Sequence, residues 1–304
     1  MRIGIMAGAT SGNENLDAFV ASARDFEARG FDTMWLANIF GLDAITTAAV
    51  IGRETDRIAL GTAVVPSYPR HPVALAQQAV TTQAACRGRF HLGIGLSHKI
   101  VIEDLLGLSY ARRARHMREY LSVLAPLLRG EPAKFEGEEF RVDVSLTIPD
   151  VEPVPTLIAA LGDHMLRIAG QKADGTILWM TGPETIESHV GPRLRAAAAE
   201  AGRPAPRIVA GLPIVLTDDV EATREAIDET LVIYGQLPSY RAMLDKEGAA
   251  GPADVSLVGN ESELDAQIQR LIDVGVTDFC ASIVPTADGV AERTLDYLTS
   301  KLGD

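Results

Sequence analysis

Short apolar runs alternate with amphipathic stretches along the whole chain, and no other feature limits the possible folds as sharply. The runs are Arg2–Ala7, Thr33–Ala37, Ile58–Val65, Arg89–Gly95, Thr156–Ala160, Thr176–Trp179, Arg207–Leu216 and Asp278–Val284. Most are apolar without a polar alternation, as expected for strands buried on both faces. Such strands need helices over them and pair in parallel. Helical patterns fill the gaps: Asn15–Gly30, Asp43–Glu54, His71–Cys86, Ser109–Arg129, Asp163–Ala173, Pro183–Ala201, Asp218–Tyr234 and Val290–Leu302. In the first, Leu16, Phe19, Val20, Ala23 and Phe26 recur at helical spacing, and Gly30 is a natural stop. Pro72 suits the first turn of the third. Eight βα units in 304 residues predict an α/β chain folded as a (β/α)8 TIM barrel. A doubly wound open sheet is the alternative. No linker divides the chain, so one barrel domain is expected, with insertions at about residues 100–155 and 237–263. The second carries an extra helix, PSYRAMLDKEG.

Charge and composition narrow the partners. With 41 acidic against 28 basic side chains, the net charge of -13 argues against non-specific nucleic-acid binding. A small anionic ligand needs only a few local donors and stays possible. No apolar run approaches the ~20 residues of a membrane-crossing helix, and no secretory leader pattern is visible in MRIGIMAGAT. The two cysteines, Cys86 and Cys280, stand apart from any CxxC pattern and read as buried thiols. A cytoplasmic protein is expected, with no membrane or nucleic-acid partner and a small-molecule substrate.

In such a barrel, chemistry belongs at the C-terminal ends of the strands. These are Ala7–Thr10, Asn38–Gly41, Val64–His71, Gly95–Lys99, Ala160–His164, Trp179–Gly182, Gly211–Thr217 and Ile283–Thr286. The third strand breaks on GTAVVPSYPRHP, where Pro66, Pro69 and Pro72 stiffen a turn carrying Tyr68, Arg70 and His71. The fourth ends in GIGLSHK. Gly95 lets a backbone approach a ligand, and Ser97, His98 and Lys99 bring donors, although the run is no dinucleotide fingerprint. At the fifth, Gly162 stands directly before a helix whose free N–H groups suit a phosphate, unless Asp163 simply caps it. Trp179 offers either a flat apolar wall or core packing. No nucleophile elbow, HExxH or GxxxxGK[ST] occurs. The six histidines lack metal-site spacing, so no metal is expected. Phosphate-type loops and aromatic walls without an acid–base set suit a bound organic cofactor.

GFDTMWLANIFG, RIALGTAVVPSYPRHP, GRFHLGIGLSHK, REYLSVLAPLLRGE, AALGDHMLRIAGQKADGTILWM and YGQLPSYRAMLDKEG follow one another as in bacterial luciferase-like monooxygenases. The chain most resembles the branch that uses the deazaflavin coenzyme F420, common in actinobacteria. The resemblance spans Arg2 to about Leu302 and implies a (β/α)8 barrel with insertions, often dimeric. It implies a non-prolyl cis peptide at Ala63–Val64, backing the ring of F420 or, alternatively, FMN. It places Gly95, Leu96, Ser97 and His98 beside the ribityl–phosphate arm and Ala160, Leu161 and Gly162 at the phosphate; Trp179, on its residue type alone, joins the cofactor-binding candidates. Several relatives carry an acid–base His or Asp at the second strand end, where this chain has Asn38 and Ile39. Asn38 donates and accepts hydrogen bonds but is no useful base. The expectation is hydride transfer between F420 and a small apolar conjugated or carbonyl substrate. Asn38, Tyr68 and His71 are the candidate catalytic residues, with solvent, Tyr68, His71 or His98 as proton source. An FMN-dependent monooxygenase, a non-catalytic flavin-binding barrel and a phosphosugar-binding barrel are the alternatives.

Overall fold

The structure, a computed structural model, describes residues 1–8, 15–148 and 151–303. Eight parallel strands form a closed barrel: β1 (Arg2–Ala7), β2 (Thr33–Leu36), β3 (Ala59–Thr62), β4 (Phe90–Gly95), β5 (Thr156–Ile158), β6 (Gly175–Trp179), β7 (Arg207–Leu216) and β8 (Asp278–Ile283). Each pairs with its neighbours in sequence, and β8 returns to β1, with Arg2 opposite Asp278. The eight apolar runs are therefore the eight barrel strands, and the open-sheet alternative is set aside.

Helices wrap the outside, beginning with α1 (Leu16–Arg29), α2 (Ala44–Glu54), α3 (Pro72–Ala85), α4 (Arg113–Leu128) and α5 (Asp163–Lys172). Their ends follow local chemistry. Asn15 accepts the Ala18 N–H at 2.9 Å to start α1, and Gly30, at φ 96°, closes it in the left-handed region that glycine adopts freely. Asp43 caps α2 through Thr46, and Pro72 opens α3. Residues 100–155 carry a π-helical turn (Ile100–Leu105), α4 and an antiparallel hairpin (Ala133–Glu136 with Arg141–Val144). The stretch Pro183–Ala201 is helical from Pro183 to Glu200, with a π turn set into it at Ile186–Val190. The sequence reading omitted a short strand, Leu257–Gly259, and a helix, Glu261–Asp273. Among the described residues, no helix is long and apolar enough to cross a membrane.

The core has two layers. The larger lies between barrel and helices. The smaller fills the barrel with Trp35, Leu157, Ile177, Val209 and Cys280, against which Met6, Ala63 and Val64 pack. Trp35 is fully buried, and glycines on both neighbouring strands make room for it. A Cβ on Gly61 would lie 2.3 Å from the indole ring, and one on Gly4 would lie 2.9 Å from its Nε1. At the N-terminal end, Asp278 accepts from Arg207 at 2.7 Å and pairs with Arg2 at 2.7 Å. Indole and ion pairs together fill the lower barrel and leave its C-terminal end for a ligand.

Candidate active site

A cavity of about 1420 Å³ opens over the C-terminal strand ends. Pockets for one small molecule are usually ~300–1,000 Å³, so there is room for a cofactor and a substrate together.

The floor is made where β3 breaks. The Ala63–Val64 peptide is cis. The chain then rejoins the sheet as Val65–Pro66, paired with Ile94 and Gly95 of β4. Thr62 ties the break to β4: its hydroxyl donates to the Gly93 carbonyl at 2.8 Å and accepts the Gly93 N–H at 2.9 Å. Two glycines make this approach possible. A Cβ on Gly93 would lie 1.9 Å from the Thr62 backbone carbonyl oxygen, and one on Gly95 would lie 2.8 Å from Val64 Cγ2. Ala63, Val64 and Gly95 all line the cavity.

The proline turn departs from expectation. Pro66, Pro69 and Arg70 line the cavity, but Tyr68 and His71 do not. His71 is exposed and caps α3, its Nδ1 accepting the Val73 N–H at 3.3 Å. Tyr68 lies flat on the His116 ring, with centroids 3.9 Å apart, and burial raises its phenol pKa far above the ordinary value. Beneath it, Ser67 Oγ lies 3.0 Å from His116 Nε2, and His116 Nδ1 lies 2.9 Å from Glu139. Ser67 is fully buried and off the cavity, so this serine–histidine–acid chain clamps the turn against α4. The prolines, the flat stack and the clamp fix the turn's shape, and of Tyr68, Arg70 and His71 only Arg70 reaches the cavity.

At the β2 end, Asn38 lines the cavity and its Oδ1 accepts the Ala44 N–H at 3.1 Å. With the oxygen so engaged, the amide NH2 is the free polar group: a donor. Ile39 and Phe40 follow on the rim, 52% and 68% exposed. Of the β1 end, Ala9 and Thr10 lie outside the described residues.

At the β4 end, Leu96, Ser97 and His98 all line the cavity. Ser97 takes φ 62°, uncommon for a residue with a Cβ, and its carbonyl accepts the Tyr110 hydroxyl at 2.6 Å. His98 packs 5.4 Å from Tyr240, and burial lowers its pKa. At the β5 end, Leu161 and Gly162 face the cavity, whereas Ala160 is fully buried behind them. Gly162 is the N-cap of α5, and no side chain caps that helix. Asp163 instead pairs with Arg193 at 2.7 Å. The first-turn N–H groups are thus left for an anion. A Cβ on Gly162 would meet nothing within 4 Å. At the β6 end, Trp179 forms a wall, edge-on to Tyr234 at 5.7 Å, and Tyr234 continues to Tyr240 at 5.6 Å. The Trp179 Nε1 is buried and has no hydrogen-bond partner among the described residues, a donor for a ligand.

Sequence reasoning missed Tyr110, Tyr234, Tyr240 and the arginines of α4 as lining residues. The cue lay in the insertions and at their edge, where YARRARHMR and YGQLPSYR interleave aromatic and basic groups. Among the described residues no group of three or more His, Cys, Asp or Glu could hold a metal ion.

A model of the luciferase-like monooxygenase family matches residues 1–302. A Mycobacterium tuberculosis protein provisionally named a coenzyme F420-dependent oxidoreductase is 25% identical over 99% of this chain and 91% of its own. Among solved structures, an F420-dependent secondary alcohol dehydrogenase bound to an F420–acetone adduct superposes with a TM-score of 0.82. It shares 19% identity over 98% of this chain and 97% of the other. The oxygenating constituent of 3,6-diketocamphane monooxygenase of Pseudomonas putida, in complex with FMN, gives 0.78 at 15% identity, over 99% and 97%.

Proposed function

The chain belongs to the luciferase-like monooxygenase family, and on that premise we propose that it is a coenzyme F420-dependent oxidoreductase. Its substrate is small and apolar, with a carbonyl or an activated double bond. One observation carries the reading: a single cavity joins an uncapped helix N-terminus to an aromatic and aliphatic wall. The first suits a phosphate; the second suits a planar ring and an apolar substrate. The coenzyme's name comes from relatives such as the Mycobacterium protein.

The residues present fit such a group. Gly162 leaves open the volume that any side chain would fill, and Trp179 Nε1 waits for an acceptor. Gly162 and the α5 N-terminus would hold the phosphate, Gly95–His98 the adjoining arm, and Ala63–Val64 the ring from below. When bound, the deazaflavin supplies a two-electron hydride centre.

The chain's own residues orient and polarise. Asn38 presents an amide donor toward a substrate carbonyl, with its other end anchored at Ala44. No carboxylate or imidazole stands at this strand end, so proton removal from an alcohol has no local base there. This favours reduction of a carbonyl or conjugated alkene over alcohol oxidation. Of the three side chains considered as proton sources, His98 is the one on the cavity wall. Trp179, Tyr234 and Tyr240 form the apolar wall beside the reacting groups. A homodimer in the cytoplasm belongs to the same reading, and light scattering tests the first part.

The test is anaerobic incubation of the protein with reduced F420 and a panel of small enones, ketones and alcohols. Reoxidation of the coenzyme with enones or ketones is the expected outcome. Persistence of reduced F420 across the panel, with oxygenation of the same compounds by reduced FMN and oxygen, would overturn the proposal.

A further inference from the structure

The cavity's charge runs against that of the chain. The whole protein has 41 acids and 28 bases, yet five arginines and a single acid, Asp163, line the cavity. Four of those arginines stand at the start of α4: Arg112, Arg113, Arg115 and Arg118. Their partners divide them. Arg112 and Arg115 share Glu138. Arg113 lies 5.5 Å from the centre of the Tyr110 ring and has no acidic partner among the described residues; neither does Arg118. The fifth, Arg70, is paired with Asp43 at 2.7 Å. Two guanidinium groups with no acidic partner among the described residues therefore line the same cavity as the α5 N-terminus. A single phosphate is already served by the helix end, as argued above.

We propose that Arg113 and Arg118 form a second anion subsite, which takes carboxylate or phosphate groups of a ligand that also occupies the main cavity. The chemistry suits guanidinium forks, which bind planar carboxylates in pairs of hydrogen bonds. Tyr110 holds one side of the subsite: its hydroxyl is bound to the Ser97 carbonyl, and its face lies under Arg113. Anionic groups arrive there from one of two sources: an acidic side chain of the coenzyme beyond its phosphate, or an acidic group on the substrate. The coenzyme source depends on the F420 reading; the subsite itself does not. Both arginines are exposed, so each contributes modestly and in a salt-dependent way.

The experiment compares wild type, R113Q/R118Q and R113K/R118K. Probes are F420, whose side chain carries carboxylates, FMN, which carries only phosphate, and a tetraglutamate peptide. At low salt, the glutamine variant should lose F420 affinity about five- to tenfold, with the lysine variant in between and the loss fading at high salt. FMN affinity should change less than about twofold, because the helix end is intact. That pattern assigns the coenzyme's side chain as the source. Unchanged coenzyme affinities, with KM raised for carboxylated enones relative to neutral ones, assign the substrate and also support the subsite. If wild type binds neither coenzyme, the F420 reading fails. The subsite then stands on tetraglutamate binding by wild type that the glutamine variant loses, and falls without it. Equal loss of F420 and FMN would make the arginines part of the phosphate cradle and overturn the proposal, as would no change with any probe.

Discussion

Replacing Gly162 by valine separates the ligand's requirements from those of the fold. The backbone there has φ -86° and ψ 160°, which any L-residue adopts, and the added Cβ meets no atom within 4 Å. Glycine ranks well above valine at an N-cap, so folding should lose about 1 kcal/mol. For a chain of this length that is a fall of about 2–4 °C or less in Tm. The valine methyls, however, fill the approach to the first-turn N–H groups of α5. A charge-assisted hydrogen bond contributes about 1.5–3 kcal/mol, and the low end applies because Gly162 is open to solvent. Losing two such bonds gives about 3 kcal/mol, or roughly a hundredfold rise in Kd. Fluorescence titration with F420 and with FMN reads the change, and a thermal melt reads the fold. A Kd within about threefold of wild type, with an unchanged melt, would refute the assignment of this helix end to a phosphate.

Asn38→Ala removes the free donor at the β2 end, so turnover should fall by about tenfold or more while coenzyme Kd stays within about twofold; equal turnover would take Asn38 out of the site. Gly61→Ala forces a methyl into the Trp35 ring, and overpacking of this kind should cost about 1–3 kcal/mol in the urea midpoint; a fully stable variant would contradict the fitted slot. Burial, aided by Arg207 and opposed by Asp278, lowers the His91 pKa to about 4. The unfolded imidazole, near 6.5, then binds the extra proton, so stability falls as pH drops from about 6.5 toward 4, by about 2 kcal/mol near pH 5. His91→Gln should flatten that part of the urea-midpoint profile, and identical profiles would remove His91 as the cause. His116→Asn, which cannot span from Ser67 to Glu139, should loosen the proline turn and raise coenzyme Kd about fivefold, with a smaller effect for His116→Gln; unaltered binding in both would mean that the clamp does not position the cavity floor.

The barrel was legible because strands buried on both faces carry continuous apolar runs, and β7, Arg207–Leu216, matches its run end for end. The glycines were legible for a similar reason: a missing side chain where a strand meets a helix leaves room for a backbone or a ligand. Gly95 and Gly162 both border the cavity. Tyr68 and His71 misled because residue type does not give direction. A tyrosine beside a buried histidine stacks, and a histidine before a proline-led helix caps it. Asp163 shows the converse. A capping residue by type, it pairs with Arg193, a partner brought near only by the fold. The helix Glu261–Asp273 was missed although its hydrophobic face and Asn260–Glu263 capping box are both present in the sequence. Of the aromatic wall, Tyr234 lay at the edge of the second insertion and Tyr240 within it, where the βα pattern gives no guide to what faces the mouth.

Paired titration of the pure protein with F420 and with FMN tests the central claim most directly. Fluorescence quenching should report micromolar or tighter binding of F420 and at least tenfold weaker binding of FMN, roughly the ratio that one further recognised group provides. Tight FMN binding without F420 binding would contradict the deazaflavin assignment, and binding of neither would remove the redox coenzyme from the cavity altogether.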